Sequence, residues 1–138
     1  MTGRYLDEFT VGDVYRHWPG RTVNAGDSTW FGLLSMNRET IDDPAIETFV
    51  FSVIVGLSVA ETSARAIANL GFEKVVFEKP VYVGDTLYAE SEVLEVRPSE
   101  SKPDRGIVYI ETRGFNQRRE RVLTLRRRFL APRVIPGS

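Results

Sequence analysis

The side chains best suited to chemistry in this sequence are carboxylates that gather around Pro44. Asp42, Asp43 and Glu47 lie close together, and Glu39 precedes them. A carboxylate can serve as a general base or a general acid when burial raises its pKa toward neutrality. The alternative is a solvated loop that caps the following helix, with Glu47 as a surface residue that complements the helix dipole. Both interpretations need a helix that begins close to Pro44.

A long helix over residues 45–69 is the element predicted to position these carboxylates. Asp42 or Asp43 can cap its N-terminus, and Gly71 suits a stop at its C-terminus. Residues 49–59 are almost entirely apolar, and a helix that is apolar all round is covered on most sides. The free N–H groups at the start of such a helix are suited to stabilise negative charge that develops on a substrate carbonyl.

After this helix the hydrophobic period changes from 3.6 to 2, which predicts a sheet. The alternation gives antiparallel strands at residues 72–83, 86–96, 106–115 and 121–131. One helix covered by a curved antiparallel sheet is an α+β arrangement, and its open edge strand leads us to expect a dimer. Before the long helix, the sequence predicts a short helix at residues 24–37 and a strand at residues 15–23 that Pro19 interrupts.

The composition limits the possible function classes. The 138 residues are 42% hydrophobic and 27% charged, which predicts one globular domain over residues 1–138, with a flexible tail at 133–138. The net charge of −1 argues against a nucleic-acid partner. Without cysteine, and with His17 as the single histidine, we expect no metal site and no cofactor. The absence of a signal-peptide core and of a membrane-length apolar run predicts a cytoplasmic protein that has no membrane partner.

Two further groups of polar residues receive structural interpretations. His17 lies near a predicted strand end, and a structural role is favoured over a titrating one. In the last strand, a period of two places Leu123, Leu125 and Phe129 on one face and Thr124, Arg126 and Arg128 on the other, and we interpret the arginine run as a solvated outer face or a partner contact.

Three segments carry a family resemblance: YLDEFTVGDVYRHWPGRTV, WFGLLSMN, and a long C-terminal segment that includes PVYVGDTLYAESEVLE. Through them, most of the chain resembles the MaoC-like, hot-dog-fold (R)-specific enoyl-CoA hydratases and dehydratases. The most similar branch handles branched or dicarboxylic acyl-CoAs, as mesaconyl-CoA hydratase does. The resemblance implies a hot-dog fold and a lyase that acts on a thioester of CoA or of an acyl carrier protein. It also implies a homodimer, or a heterodimer with another MaoC-like chain.

The resemblance also implies a site made of Asn37, Asp42 and Glu47. The family supplies an Asp or Asn and then a histidine, in a pattern like N-x-x-P-L-H, and these groups hold a water and transfer protons to the substrate. Asn37 matches the first position, whereas Asp42 stands at the histidine position if no gap is allowed. We favour the alternative of a deletion before the long helix. In both cases the family histidine is missing, and proton transfer would fall to Asp42 or Glu47. Glu47 is included by analogy with hot-dog enzymes that carry a carboxylate on this helix.

Three functions remain open at this point. The first is a hydratase or dehydratase whose site has been rebuilt from carboxylates. The second is a hot-dog enzyme diverted to isomerisation, cyclisation or thioester hydrolysis in a specialised pathway. The third is a catalytically silent subunit that pairs with an active MaoC-like partner. The missing histidine predicts that hydration of simple enoyl-CoAs is weak or absent.

Overall fold

The computed structural model describes residues 3–37 and 42–134. A 3-10 turn at Leu6–Glu8 comes first. The elements that follow are strands β1 (Val14–Arg16) and β2 (Arg21–Thr22), helices α1 (Ala25–Ser35) and α2 (Glu47–Val59), and strands β3 (Ala68–Phe77), β4 (Thr86–Pro98), β5 (Arg105–Phe115) and β6 (Arg121–Pro132).

The strands form one antiparallel sheet in the order β1-β4-β5-β6-β3, and β2 pairs with the start of β4. Strands β4, β5 and β6 alternate between buried and partly exposed residues, as their period of two predicts. Helix α2 packs against these three central strands. The predicted α+β arrangement is therefore confirmed, and within the described residues β3 forms an edge of the sheet and pairs with β6.

Helix α2 is shorter than the sequence predicts. It spans Glu47–Val59 instead of residues 45–69, and Asn69 lies in β3. Two hydroxyls bind carbonyls of the last turns: Ser58 Oγ donates to the Val55 carbonyl and Thr62 Oγ1 to the Ser58 carbonyl, both at 2.6 Å. Such side chains compete with the backbone ladder of a helix. The residues after Val59 turn away to make polar contacts with the sheet, which outweigh their helix propensity.

The start of α2 also differs from the prediction. Ile46 occupies the N-cap position, and no side chain caps this end, so the proposed caps Asp42 and Asp43 are wrong. The chain before the helix is held instead by a backbone bond of 2.7 Å from the Ala45 N–H to the Val81 carbonyl. That bond orients the entry into α2 without a carboxylate cap.

The core of the chain lies between the sheet and one stripe of α2. Val50, Ile54 and Ser58 are buried, at the i, i+4 spacing of one helix face. Ser52 and Gly56 are exposed on another face, and most of the remaining apolar side chains of α2 are partly buried. The prediction of a helix covered on most sides is therefore wrong for this chain alone.

The bounds of the remaining elements agree closely with the sequence predictions, except for one strand that is shifted. The predicted strand at residues 72–83 is β3 at Ala68–Phe77, because the chain turns after Phe77. The strand expected at residues 15–23 is split into β1 and β2 around Pro19, as predicted. At the predicted tail, the Arg133 N–H donates to the Asp104 carbonyl at 2.7 Å. Residues 135–138 lie outside the described residues.

Candidate functional site

A cavity of about 340 Å³ lies at the start of α2. Pro44, Ala45 and Glu47 line it on the helix side, and on the other side it is lined by Phe77, at the end of β3, and by Lys79, which follows β3. The first N–H groups of any α-helix lack intrahelical acceptors. The N–H groups of Phe49 and Val50 bond to the Ile46 carbonyl, and the N-cap Ile46 has no side-chain acceptor, so the N–H groups of Glu47 and Thr48 are the donors available to a bound carbonyl or anion.

The structure places the three predicted site residues differently. Glu47 is the first residue of α2, is exposed, and lines the cavity. Asp42 is exposed and does not line it. Asn37 follows α1, is exposed, and its side-chain amide donates to Ser35 Oγ at 3.1 Å. Only Glu47 is thus brought to the cavity, while residues 38–41, including Glu39, lie outside the described residues.

A buried polar chain around His17 is the main feature that the sequence did not predict in detail. The His17 side chain bridges Glu61 Oε1 and Ser91 Oγ, each at 2.8 Å, and Ser91 Oγ contacts Thr112 Oγ1 at 2.8 Å. Burial lowers the pKa of His17, opposed by its hydrogen bond to Glu61. A neutral imidazole donates from Nδ1 to the carboxylate and accepts at Nε2 from Ser91, because a carboxylate can only accept.

The order carboxylate, histidine, serine matches that of a hydrolytic triad. Ser91 of β4 and Thr112 of β5 are, however, fully buried, so no substrate reaches the serine oxygen. The chain of hydrogen bonds joins the residue that follows β1, and strands β4 and β5, to the turn after α2. Its role is therefore to hold these elements together, in agreement with the structural interpretation of His17.

Arg127 is the second feature that the sequence analysis missed. Its exposed fraction is 1%, and its guanidinium donates to Ser58 Oγ at 3.0 Å, to Thr62 Oγ1 at 3.3 Å and to Asn69 Oδ1 at 3.2 Å. In the part of the chain that the structure describes, no carboxylate bonds to it. Burial lowers the pKa of Arg127 to about 10.

The sequence analysis interpreted the arginine run at 126–128 as a solvated outer face or a partner contact, and a solvated position is wrong for Arg127. Arg126 and Arg128 do face outward, where they pair with Glu111 at 2.9 Å and Glu73 at 3.1 Å. The period of two puts the residue between them on the inner face. The sequence analysis applied that alternation to Arg126 and Arg128, and extending it to Arg127 places this cation on the inner face with Leu125 and Phe129.

Two further observations concern residues 3–37 and 42–134. Among them, no helix is long and apolar enough to cross a membrane. The same residues contain no group of three histidine, aspartate or glutamate side chains placed to share a metal ion.

Comparisons with known proteins give consistent results. A family model described as mesaconyl-CoA hydratase matches residues 2–137. A mesaconyl-CoA hydratase of Cereibacter sphaeroides is 32% identical over 135 residues, which cover 88% of this chain and 39% of the relative. The crystal structure of a MaoC domain protein of Chloroflexus aurantiacus has a TM-score of 0.88 at 28% identity, and covers 99% of this chain and 42% of that chain.

The fold itself is the predicted hot dog. A Mycobacterium tuberculosis protein described as having a double hot-dog fold matches with a TM-score of 0.84 at 22% identity, over 99% of this chain and 46% of that chain. The chain thus spans less than half the length of the curated relative and of both solved structures.

Proposed function

The chain belongs to the mesaconyl-CoA hydratase family, and from this premise we propose that it is a hot-dog unit of a hydro-lyase acting on an acyl thioester. Because the Cereibacter relative is named for mesaconyl-CoA, the proposed substrate class is a branched, dicarboxylic enoyl thioester. CoA is the preferred carrier, an acyl carrier protein is the alternative, and the proposed location is the cytoplasm. The observation that carries the proposal is the uncapped start of α2, which opens on a cavity.

Water addition to an enoyl thioester needs a base for the water, an acid for the α carbon, and donors for the enolate oxygen that forms. The N–H groups of the first turn of α2 are the proposed donors to that oxygen. Glu47 is the proposed proton-transfer group, because it lies in the same turn and lines the cavity. Asp42 is the alternative, and Asn37 would orient the water or the acyl group, since an amide does not act as a base near neutral pH.

The proposed site requires a second hot-dog unit. Glu47 and Asp42 are both exposed in the described chain, whereas electrostatic catalysis works best where water is excluded. The edge strand β3 and the segment before it expose apolar side chains, among them Leu70, Phe72 and Val76. A second copy of this chain, or another MaoC-like chain, is the proposed partner that covers this surface and closes the site.

The direct test is a hydration assay of the purified protein on mesaconyl-CoA and crotonyl-CoA. We expect turnover of mesaconyl-CoA, weak or absent turnover of crotonyl-CoA, and a loss of at least about 100-fold in kcat for Glu47→Gln. Asp42→Asn tests the alternative carboxylate in the same assay. Glu100→Gln, an exposed carboxylate in the loop between β4 and β5, is the matched control. Full activity of both Glu47→Gln and Asp42→Asn would assign the chemistry to other residues.

A catalytically silent unit is the second candidate function, favoured by the absence of the family histidine between α1 and α2. It predicts that the protein binds mesaconyl-CoA, shows no turnover alone, and supports turnover when an active MaoC-like chain is added. If the protein is instead a hot-dog enzyme that catalyses another reaction, the thioester is consumed and the product is an isomer, a cyclised compound or a free acid. Mass spectrometry of the products separates these cases.

A further inference from the structure

A second cavity, of about 460 Å³, lies between the end of β1, the first half of β4 and the loop after β5. Tyr88, Ala89 and Glu90 of β4 line it, together with the buried His17. It shares no lining residue with the cavity at the start of α2. Nothing in the proposed hydration chemistry uses it.

An aromatic surface forms one side of this cavity. Trp18 is 80% exposed, although its ring stacks on Tyr88 with centroids 6.1 Å apart and an angle of 21° between the planes. One face of the indole is therefore held by Tyr88, and the opposite face is free. Phe115 adds a second apolar group to the lining. A large, held aromatic ring with a free face is suited to stack on a flat ligand ring.

The charge around the cavity favours an anion. Arg16 and Arg119 both line it, and in the part of the chain that the structure describes neither guanidinium has an ion pair or a hydrogen bond. Glu90 is the acidic residue in the lining, and Arg113 neutralises it at a distance of 3.2 Å. Two unpaired guanidiniums near a held aromatic ring match a ligand that carries phosphate beside a planar ring.

We propose that this outer cavity binds an adenosine phosphate, with the purine stacked on Trp18 and the phosphate held by Arg16 and Arg119. The cavity has the size of ordinary small-molecule sites. The ligand has two possible sources: a free nucleotide such as ADP, or the nucleotide end of a CoA thioester. The proposal does not depend on hydration by the α2 site.

The test is isothermal titration calorimetry of the full chain with ADP, with CoA and with pantetheine, which lacks the nucleotide. We expect ADP to bind, and Trp18→Leu and the double variant Arg16→Gln, Arg119→Gln each to weaken ADP binding by at least about tenfold. Arg97→Gln, an exposed arginine of β4 outside the cavity, is the matched control and should leave ADP binding unchanged. Circular dichroism of each variant shows that the fold is retained.

The three probes distinguish the sources. If the cavity variants weaken CoA as much as ADP, the nucleotide end of CoA occupies the cavity. If the variants weaken ADP alone, the ligand is a free nucleotide and CoA binds elsewhere. ADP binding that is undetectable at millimolar concentration, or that the cavity variants leave unchanged, would overturn the proposal whether or not the protein hydrates mesaconyl-CoA.

Discussion

At the residue scale, the structure shows two buried polar centres where the sequence offered only single residues. His17 and Arg127 both lie on the core side of the sheet, and both contact the end of α2 or the turn after it. Their hydrogen-bond partners are far away in the sequence, so no local sequence pattern predicts these contacts. They explain why the helix ends ten residues before its apolar and amphipathic pattern does (Val59 against residue 69).

The stability of the protein should depend on pH through His17. Burial holds the pKa of His17 below its ordinary value in the folded state, so the unfolded chain binds a proton first as the pH falls. The free energy of unfolding should therefore decrease as the pH falls through about 6.5, by at most about 1.4 kcal/mol per pH unit. Once the pH is below the folded-state pKa of His17, the stability that depends on neutral His17 is lost completely.

Urea denaturation between about pH 5.5 and 7.5 measures this effect. The variant His17→Gln keeps a polar side chain at the position and removes the titration, so its unfolding free energy should be flatter over this range. A free energy of unfolding that increases as the pH falls would show that His17 is protonated in the folded protein.

Arg127 allows a prediction about a buried cation that has no carboxylate partner in the described chain. Replacing a buried charged group by an apolar residue of similar length is often neutral or stabilising, by about 1–4 kcal/mol. We therefore expect Arg127→Met to have at least the unfolding free energy of the parent. Arg127→Ala should lose stability, because it leaves a cavity beside Ser58 and Phe129. Thermal and urea denaturation of both variants test these two expectations. A strong destabilisation by Arg127→Met would show that the guanidinium hydrogen bonds contribute more to stability than the burial of the charge costs.

At the scale of elements, the strands could be predicted from the sequence better than the central helix. The alternation of buried and partly exposed residues in β4 and β6 follows directly from the period of two. The length of α2 could not be predicted, because its end is fixed by contacts of Thr62 and Glu61 with distant strands. Its degree of burial could not be predicted either, since an apolar helix can be covered by another chain as well as by its own sheet.

The buried stripe of α2 gives a prediction at this scale. Ile54 is fully buried, and a Cβ built on Gly114 of β5 would lie 2.5 Å from Ile54 Cδ1, so helix and sheet are in tight contact there. Ile54→Ala should lower the unfolding free energy by about 2–5 kcal/mol. Val53→Ala, at a partly buried neighbour, should cost less. Equal losses in chemical denaturation would contradict the assignment of Ile54 to the core stripe.

At the scale of the whole molecule, the candidate site is incomplete in one chain. The start of α2 and Glu47 were predicted as its parts and lie together, but Asn37 and Asp42 do not join them in the cavity lining. The physical reason is that the sequence shows that Asn37 and Asp42 precede the start of α2, but it does not determine how the loop that carries them folds. A closed site needs a covering unit, and the single sequence does not specify that surface.

Pairing through β3 is the prediction that belongs to this scale. An exposed edge strand with apolar side chains favours association, and a lysine on such an edge opposes it. We expect the parent protein to be a dimer in light scattering at micromolar concentration and Val76→Lys, on β3, to shift it to the monomer. Val11→Lys, at an exposed valine outside the sheet, should leave the dimer intact. A monomeric parent would remove the shared-site proposal.

The most direct measurement is a crystal structure of the protein with bound mesaconyl-CoA. We predict that the thioester oxygen lies about 2.7–3.1 Å from N–H groups of the first turn of α2. The Glu47 carboxylate should lie next to the double bond, where it can accept a hydrogen bond from the water that attacks. A thioester bound away from the start of α2, with Glu47 still facing solvent, would contradict the proposed site.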